Sequence, residues 1–191
     1  MNSDEQNARE IIARMDGMTS ETDRFGAEKS DERGQICREL ERILRTSRNP
    51  KIIMMITDAC MERMRCMDGF MEQMAWLIGI HGTERHFEPT LEVLLKTEQI
   101  RHPIDAIVLA LERIITHTPD PSHLARFKAR LDNALTDDSL ADKPIAVGTG
   151  LLALKRKTIH ALNPRGNMPR NPVRTEPAST RDNPRARMRT G

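Results

Sequence analysis

The chain has 191 residues, enough for one domain and a tail, and only 38% are apolar, a low share that predicts a segment contributing little to a core. No apolar run approaches the ~18 residues a membrane-spanning helix needs, and the polar, acidic stretch from Met1 to Glu10 lacks the basic and apolar regions of a secretory signal, so a cytosolic, nuclear or virion-internal protein is expected. The net charge of +2 hides a split: Lys155–Gly191 carries ten bases against two acids, a net +8, whereas Met1–Leu154 carries 20 bases against 26 acids, a net −6.

In chain order, residues 1–30 read as an N-terminal helix over 5–16, loosely attached, and a flexible linker over 17–30. Ala8, Ile11, Ile12 and Met15 keep helical spacing, whereas the linker has turn formers and no period. A second helix spans 31–46, with Ile36, Leu40, Ile43 and Leu44 on a narrow apolar stripe. Asn49-Pro50 supplies an N-cap and a proline at the first helical position, where its missing N–H costs nothing.

Residues 50–80 read as one long helix, about 45 Å at ~1.5 Å per residue. Ile53, Cys60, Met67 and Met74 recur every seven residues, and Met64 and Met71 widen the same face. Shorter helices follow over 89–99, 103–117 and 121–135, each opening on a proline: Pro89, Pro103 and Pro121. Residues 136–149 read as a turn-rich connection and 150–162 as a last helix. From Asn163 on there are five prolines, little apolar content and repeated arginine, so 163–191 is expected to be a disordered basic tail. The expected fold is all-α: an irregular bundle of five or six helices over 31–162, flanked by the N-terminal segment and the tail.

The basic segment is the strongest functional feature. Arg165, Arg170, Arg174, Arg181, Arg185, Arg187 and Arg189 are dispersed among Pro, Asn and Thr, and Lys155, Arg156 and Lys157 extend the set towards the bundle. Such residues bind phosphate backbones through counterion release with little sequence specificity. The tail has no aromatic side chain to stack on bases. The expected partner is nucleic acid, RNA in the first place, and an acidic protein surface is the alternative. The Met-rich face carries the second expectation. Ile53, Cys60, Met64, Met67, Met71 and Met74 would form a homo-oligomer seam if a helix that long leaves them uncovered, or an intrachain core if it does not.

Chemistry-bearing motifs are missing from the sequence. It has no phosphate-binding Gly loop, no HExxH and no Gly-x-Ser-x-Gly, so no enzyme and no cofactor are expected. Cys60, Cys66, His81 and His86 are the nearest approach to a metal set, and their spacing fits no standard zinc pattern. Three cysteines at irregular spacing are no disulfide framework. The pair 103–117 and 121–135, joined by Thr118-Pro119-Asp120, also permits a helix-turn-helix reading, with Arg126, Arg130 and Asn133 facing outwards.

The order of parts is similar to that of phosphoproteins of negative-strand RNA viruses, in which an oligomerising helix precedes a small three-helix domain. Residues 50–80 and 89–135 stand in those places, although here a basic tail follows the small domain. These readings converge on a non-enzymatic, oligomeric, nucleic-acid-associated structural or regulatory protein, such as a viral nucleocapsid, matrix or polymerase-cofactor component. The alternative is a helical protein-binding adaptor or chaperone.

Overall fold

A computed structural model of the chain describes residues 3–18, 27–66, 70–98 and 103–163. Among them are eight α-helices and no strand: α1 (Ser3–Gly17), α2 (Ala27–Thr46), α3 (Pro50–Arg65), α4 (Met71–His81), α5 (Glu84–Lys96), α6 (Ile104–His117), α7 (Pro121–Leu135) and α8 (Ile145–Leu162). A 3-10 turn, Asp138–Asp142, joins α7 to α8.

Local chemistry sets several of the helix starts. Asn49 caps α3, its side-chain oxygen accepting from the Lys51 N–H at 3.0 Å, with Pro50 at the first position. Asp120 does the same for α7 through the Ser122 N–H at 2.8 Å, with Pro121 behind it. Pro103 stands just outside α6 as its N-cap. The proline rule fails at Pro89, which lies inside α5. That helix begins at Glu84 because His86 caps it: the Thr83 backbone N–H donates to His86 Nδ1 at 3.0 Å. Pro89 forfeits the hydrogen bond its own nitrogen would make to the preceding turn.

The apolar stripes then decide the packing. Helices α4 and α6 form the central pair, with α1, α2 and α3 gathered on the α4 side and α5, α7 and α8 on the α6 side. Small residues bring the central pair together: a Cβ on Gly79 of α4 would stand 3.4 Å from the Ala110 Cα of α6. On the other flank a Cβ on Gly150 of α8 would stand 2.6 Å from Val108 Cγ2 of α6, so this crossing requires glycine. Phe87 of α5 stacks on Phe127 of α7 with ring centroids 3.9 Å apart. One continuous core runs from Ala8 to Leu154.

The structure also changes the expected architecture elsewhere. The long helix over 50–80 is two helices: α3 stops at Arg65, α4 starts at Met71, and the two fold back on each other. The intervening sequence contains Asp68-Gly69, a turn-forming pair that the seven-residue recurrence had obscured. The helix count is therefore seven from α2 to α8, not five or six, and the likeness to an oligomerising rod followed by a small domain loses its rod. The N-terminal helix is not loosely attached. Ala8, Ile11 and Met15 are buried against α2 and α3, Arg14 pairs with Glu39 at 3.1 Å, and Arg63 donates to the Met18 carbonyl at 2.6 Å. The last helix begins at Ile145, five residues before its expected start, because Gly148 and Gly150 are helical. Of the linker expected over 17–30, residues 27–30 are instead the first turn of α2, which starts four residues early, and 19–26 lie outside the described residues, as does the tail over 164–191.

Candidate nucleic-acid interface

Helix α8 positions the described part of the basic segment. Val147, Gly150, Leu151, Leu154 and Thr158 form its buried face against α6 and α7. The remaining surface carries exposed Arg156, Lys157 and His160, so two of the three bases expected here are open to a ligand. Lys155 is differently employed. Its Nζ lies 2.6 Å from Asp132 of α7, and Lys128 holds the same carboxylate at 2.7 Å. Hydrogen bonds from Lys128 and then Lys155 hold the Asp132 carboxyl below its ordinary range. Lys155 thus joins α7 to α8, and its charge is partly spent there. Arg165, Arg170, Arg174, Arg181, Arg185, Arg187 and Arg189 lie outside the described residues.

Four of the six residues expected at an oligomer seam lie inside the chain. Cys60, Met64, Met71 and Met74 are fully or almost fully buried, Ile53 is half-buried at the edge of the core, and Met67 falls outside the described residues. Folding α3 back onto α4 closes the wide face that a single rod would have exposed. As the chain stands, these four side chains offer no surface to a second copy.

Two side-chain groupings escaped the sequence reading. The first is Asp58, Arg85 and His86. Arg85 pairs with Asp58, and His86 Nε2 donates to Asp58 Oδ1 at 3.1 Å, while Nδ1 accepts from the Thr83 backbone. Both ring nitrogens are occupied, which leaves none to exchange a proton with a ligand. Burial pushes the His86 pKa down, so the ring is held neutral as a cap and a strap between α3 and α5.

The second is a groove of about 490 Å³ between α2, α4 and α6. Its walls include Leu77, Ala106 and Ala110, and its rim carries Arg38, Glu41, Glu72 and Asp105. Trp76, the only tryptophan, is 39% exposed there beside Leu109, with the Arg113 guanidinium 4.3 Å above its ring. Cys37 also lines it, and burial raises that thiol to about 11, so it stays protonated at neutral pH. A signal for the groove existed in the sequence. Met74, Ala75, Leu77 and Ile78 fill the buried stripe of α4, and Trp76 falls off it.

The other candidates are dispersed. Cys60 is interior and Cys66 exposed, while His81 donates to the Leu44 carbonyl at 2.7 Å. Among the described residues no group of three or more His, Cys, Asp or Glu side chains is arranged to hold a metal ion. On α7, Arg126 and Asn133 are exposed, whereas Arg130 is bound to Glu88 of α5 at 2.7 Å. No described helix is long and apolar enough to cross a membrane. No protein-family model, no curated protein and no solved structure matches the chain.

Proposed function

We propose that this chain is a non-enzymatic, nucleic-acid-associated structural or regulatory protein whose basic C-terminal segment binds phosphate backbones, with RNA as the first candidate. One observation carries the reading: the charge split between a net −6 over Met1–Leu154 and a net +8 over Lys155–Gly191. The exposed Arg156 and Lys157 at the end of α8 support it, because they continue the basic segment onto a rigid element. The helical body, negative overall, is repelled by the polyanion, which confines contact to the basic end and favours an oriented complex. Binding of this kind is steep in salt and weakly sequence-dependent. Random RNA and duplex DNA titrated across a salt series test it, using the full chain and a chain truncated after Leu162. Salt-steep binding that truncation abolishes supports the reading. Salt-steep binding to one duplex sequence alone would favour a helix-turn-helix regulator instead.

A second reading, a helical adaptor that takes an apolar segment of another protein, draws on the groove between α2, α4 and α6. Exposed Trp76 is the observation that favours it, since a half-open tryptophan in an apolar groove is a common anchor for a partner side chain. An unchanged Trp76 fluorescence spectrum on addition of candidate partner peptides would count against it.

A further inference from the structure

Three of the six exposed large apolar residues among those described lie on α8, seven residues apart: Ile145 (90% exposed), Leu152 (48%) and Ile159 (38%). At 3.6 residues per turn this spacing draws one slowly winding ridge, the form of a helix–helix seam. Gly148 and Thr149 lie on the same side, and a Cβ on Gly148 would meet nothing within 4 Å, so the ridge is open and locally small. The ridge is also polar in charge. Exposed Asp137, Asp138 and Asp142 stand before its N-terminal end, and exposed Arg156, Lys157 and His160 stand at its C-terminal end.

From this geometry we infer that α8 packs antiparallel against α8 of a second copy, across a twofold axis at Leu152. In that arrangement Leu152 meets its own copy and Ile145 meets Ile159, so each apolar residue finds an apolar partner. The acidic end of each helix comes beside the basic end of the other. A parallel pair would set bases against bases and acids against acids. Arg156 lies across from the partner's Gly148, where the absent side chain leaves room for its stem while the guanidinium reaches water. The C-terminal ends of the two helices then lie about 30 Å apart along the axis, so the pair carries its two basic segments on opposite sides. A three-residue ridge makes a small interface, and the dimer is weak, with Kd on the order of 100 µM. This inference stands on α8 alone and is independent of polyanion binding.

Sedimentation velocity of the full chain from about 10 µM to about 1 mM should show a monomer–dimer equilibrium. Leu152→Asp and Ile145→Asp should each weaken it by about tenfold or more, because each sets a charge in the seam. Both positions are exposed, so circular dichroism should be unchanged, and Ile145 is too open for its variant to unfold the chain. Cysteine capture in a Cys66→Ser background fixes the register. Leu152→Cys should form an interchain disulfide by itself. Ile145→Cys should form one only when mixed with Ile159→Cys. A monomer at about 1 mM overturns the inference. So does a dimer indifferent to both Asp variants, or one in which Leu152→Cys fails to cross-link.

Discussion

Replacing Gly150 by alanine tests the tightest crossing in the fold. The new methyl would sit 2.6 Å from Val108 Cγ2 and 3.7 Å from Val108 Cγ1. Carbon atoms pack best at about 3.5–4.0 Å, so α6 and α8 must separate by roughly 1 Å or Val108 must rotate. Valine on a helix is nearly confined to one rotamer, which makes rotation costly. Overpacking of this size costs about 1–3 kcal/mol, whereas alanine gains roughly 0.5–1 kcal/mol over glycine inside a helix. Gly150→Ala should therefore lose about 1–2 kcal/mol in a urea unfolding titration. In a Val108→Ala background the clash is gone, and the same change should stabilise by about 0.5–1 kcal/mol. The two backgrounds should differ by about 2 kcal/mol in a double-mutant cycle. If Gly150→Ala stabilises the otherwise unchanged chain, α6 and α8 do not approach as described.

Two further predictions concern the core and the His86 strap. Met74→Asp should unfold the chain, not merely dissociate an assembly, since Met74 is fully buried; retained helicity by circular dichroism would contradict its place in the core. The His86 pKa is lowered in the fold, chiefly by burial, so the unfolded chain binds a proton that the folded chain refuses. Its contribution is present above the ordinary histidine range near 6.5 and is lost as pH falls from there towards the lowered folded pKa. The unfolding free energy should drop from pH ~7.5 to ~5.5 in the natural chain, and drop less in His86→Gln. Equal losses in both would mean that His86 does not set this pH dependence.

How far the sequence foretold this structure depended on the range of the signal. Asp120-Pro121 and Asn49-Pro50 are local, self-sufficient starts, and both helices begin where those residues stand. Pro89 misled because a histidine cap is rare, and His86 acts through a backbone N–H three residues earlier. Asp68-Gly69 was readable as a break, but a recurrence of apolar residues every seven positions fits both one helix and two that fold together. Gly148 and Gly150 look like turn formers in isolation. Only the approach of Val108, 42 residues away, explains a glycine at 150. The same distance effect hid the fate of Lys155, whose partner Asp132 sits on the preceding helix. The α8 ridge became visible only once the helix was known to begin at Ile145.

Phosphate binding by the basic C-terminal segment should show itself first in the salt dependence of RNA binding. The full chain carries ten bases from Lys155 to Gly191, and seven of them lie beyond Leu162. If about six contact phosphates, the logarithm of the affinity for single-stranded RNA should fall against the logarithm of salt concentration with a slope near −4. Truncation after Leu162 should abolish most of the binding and flatten what remains. Binding that is absent at low salt, or that survives truncation undiminished, would mean that this segment is not a phosphate-binding site.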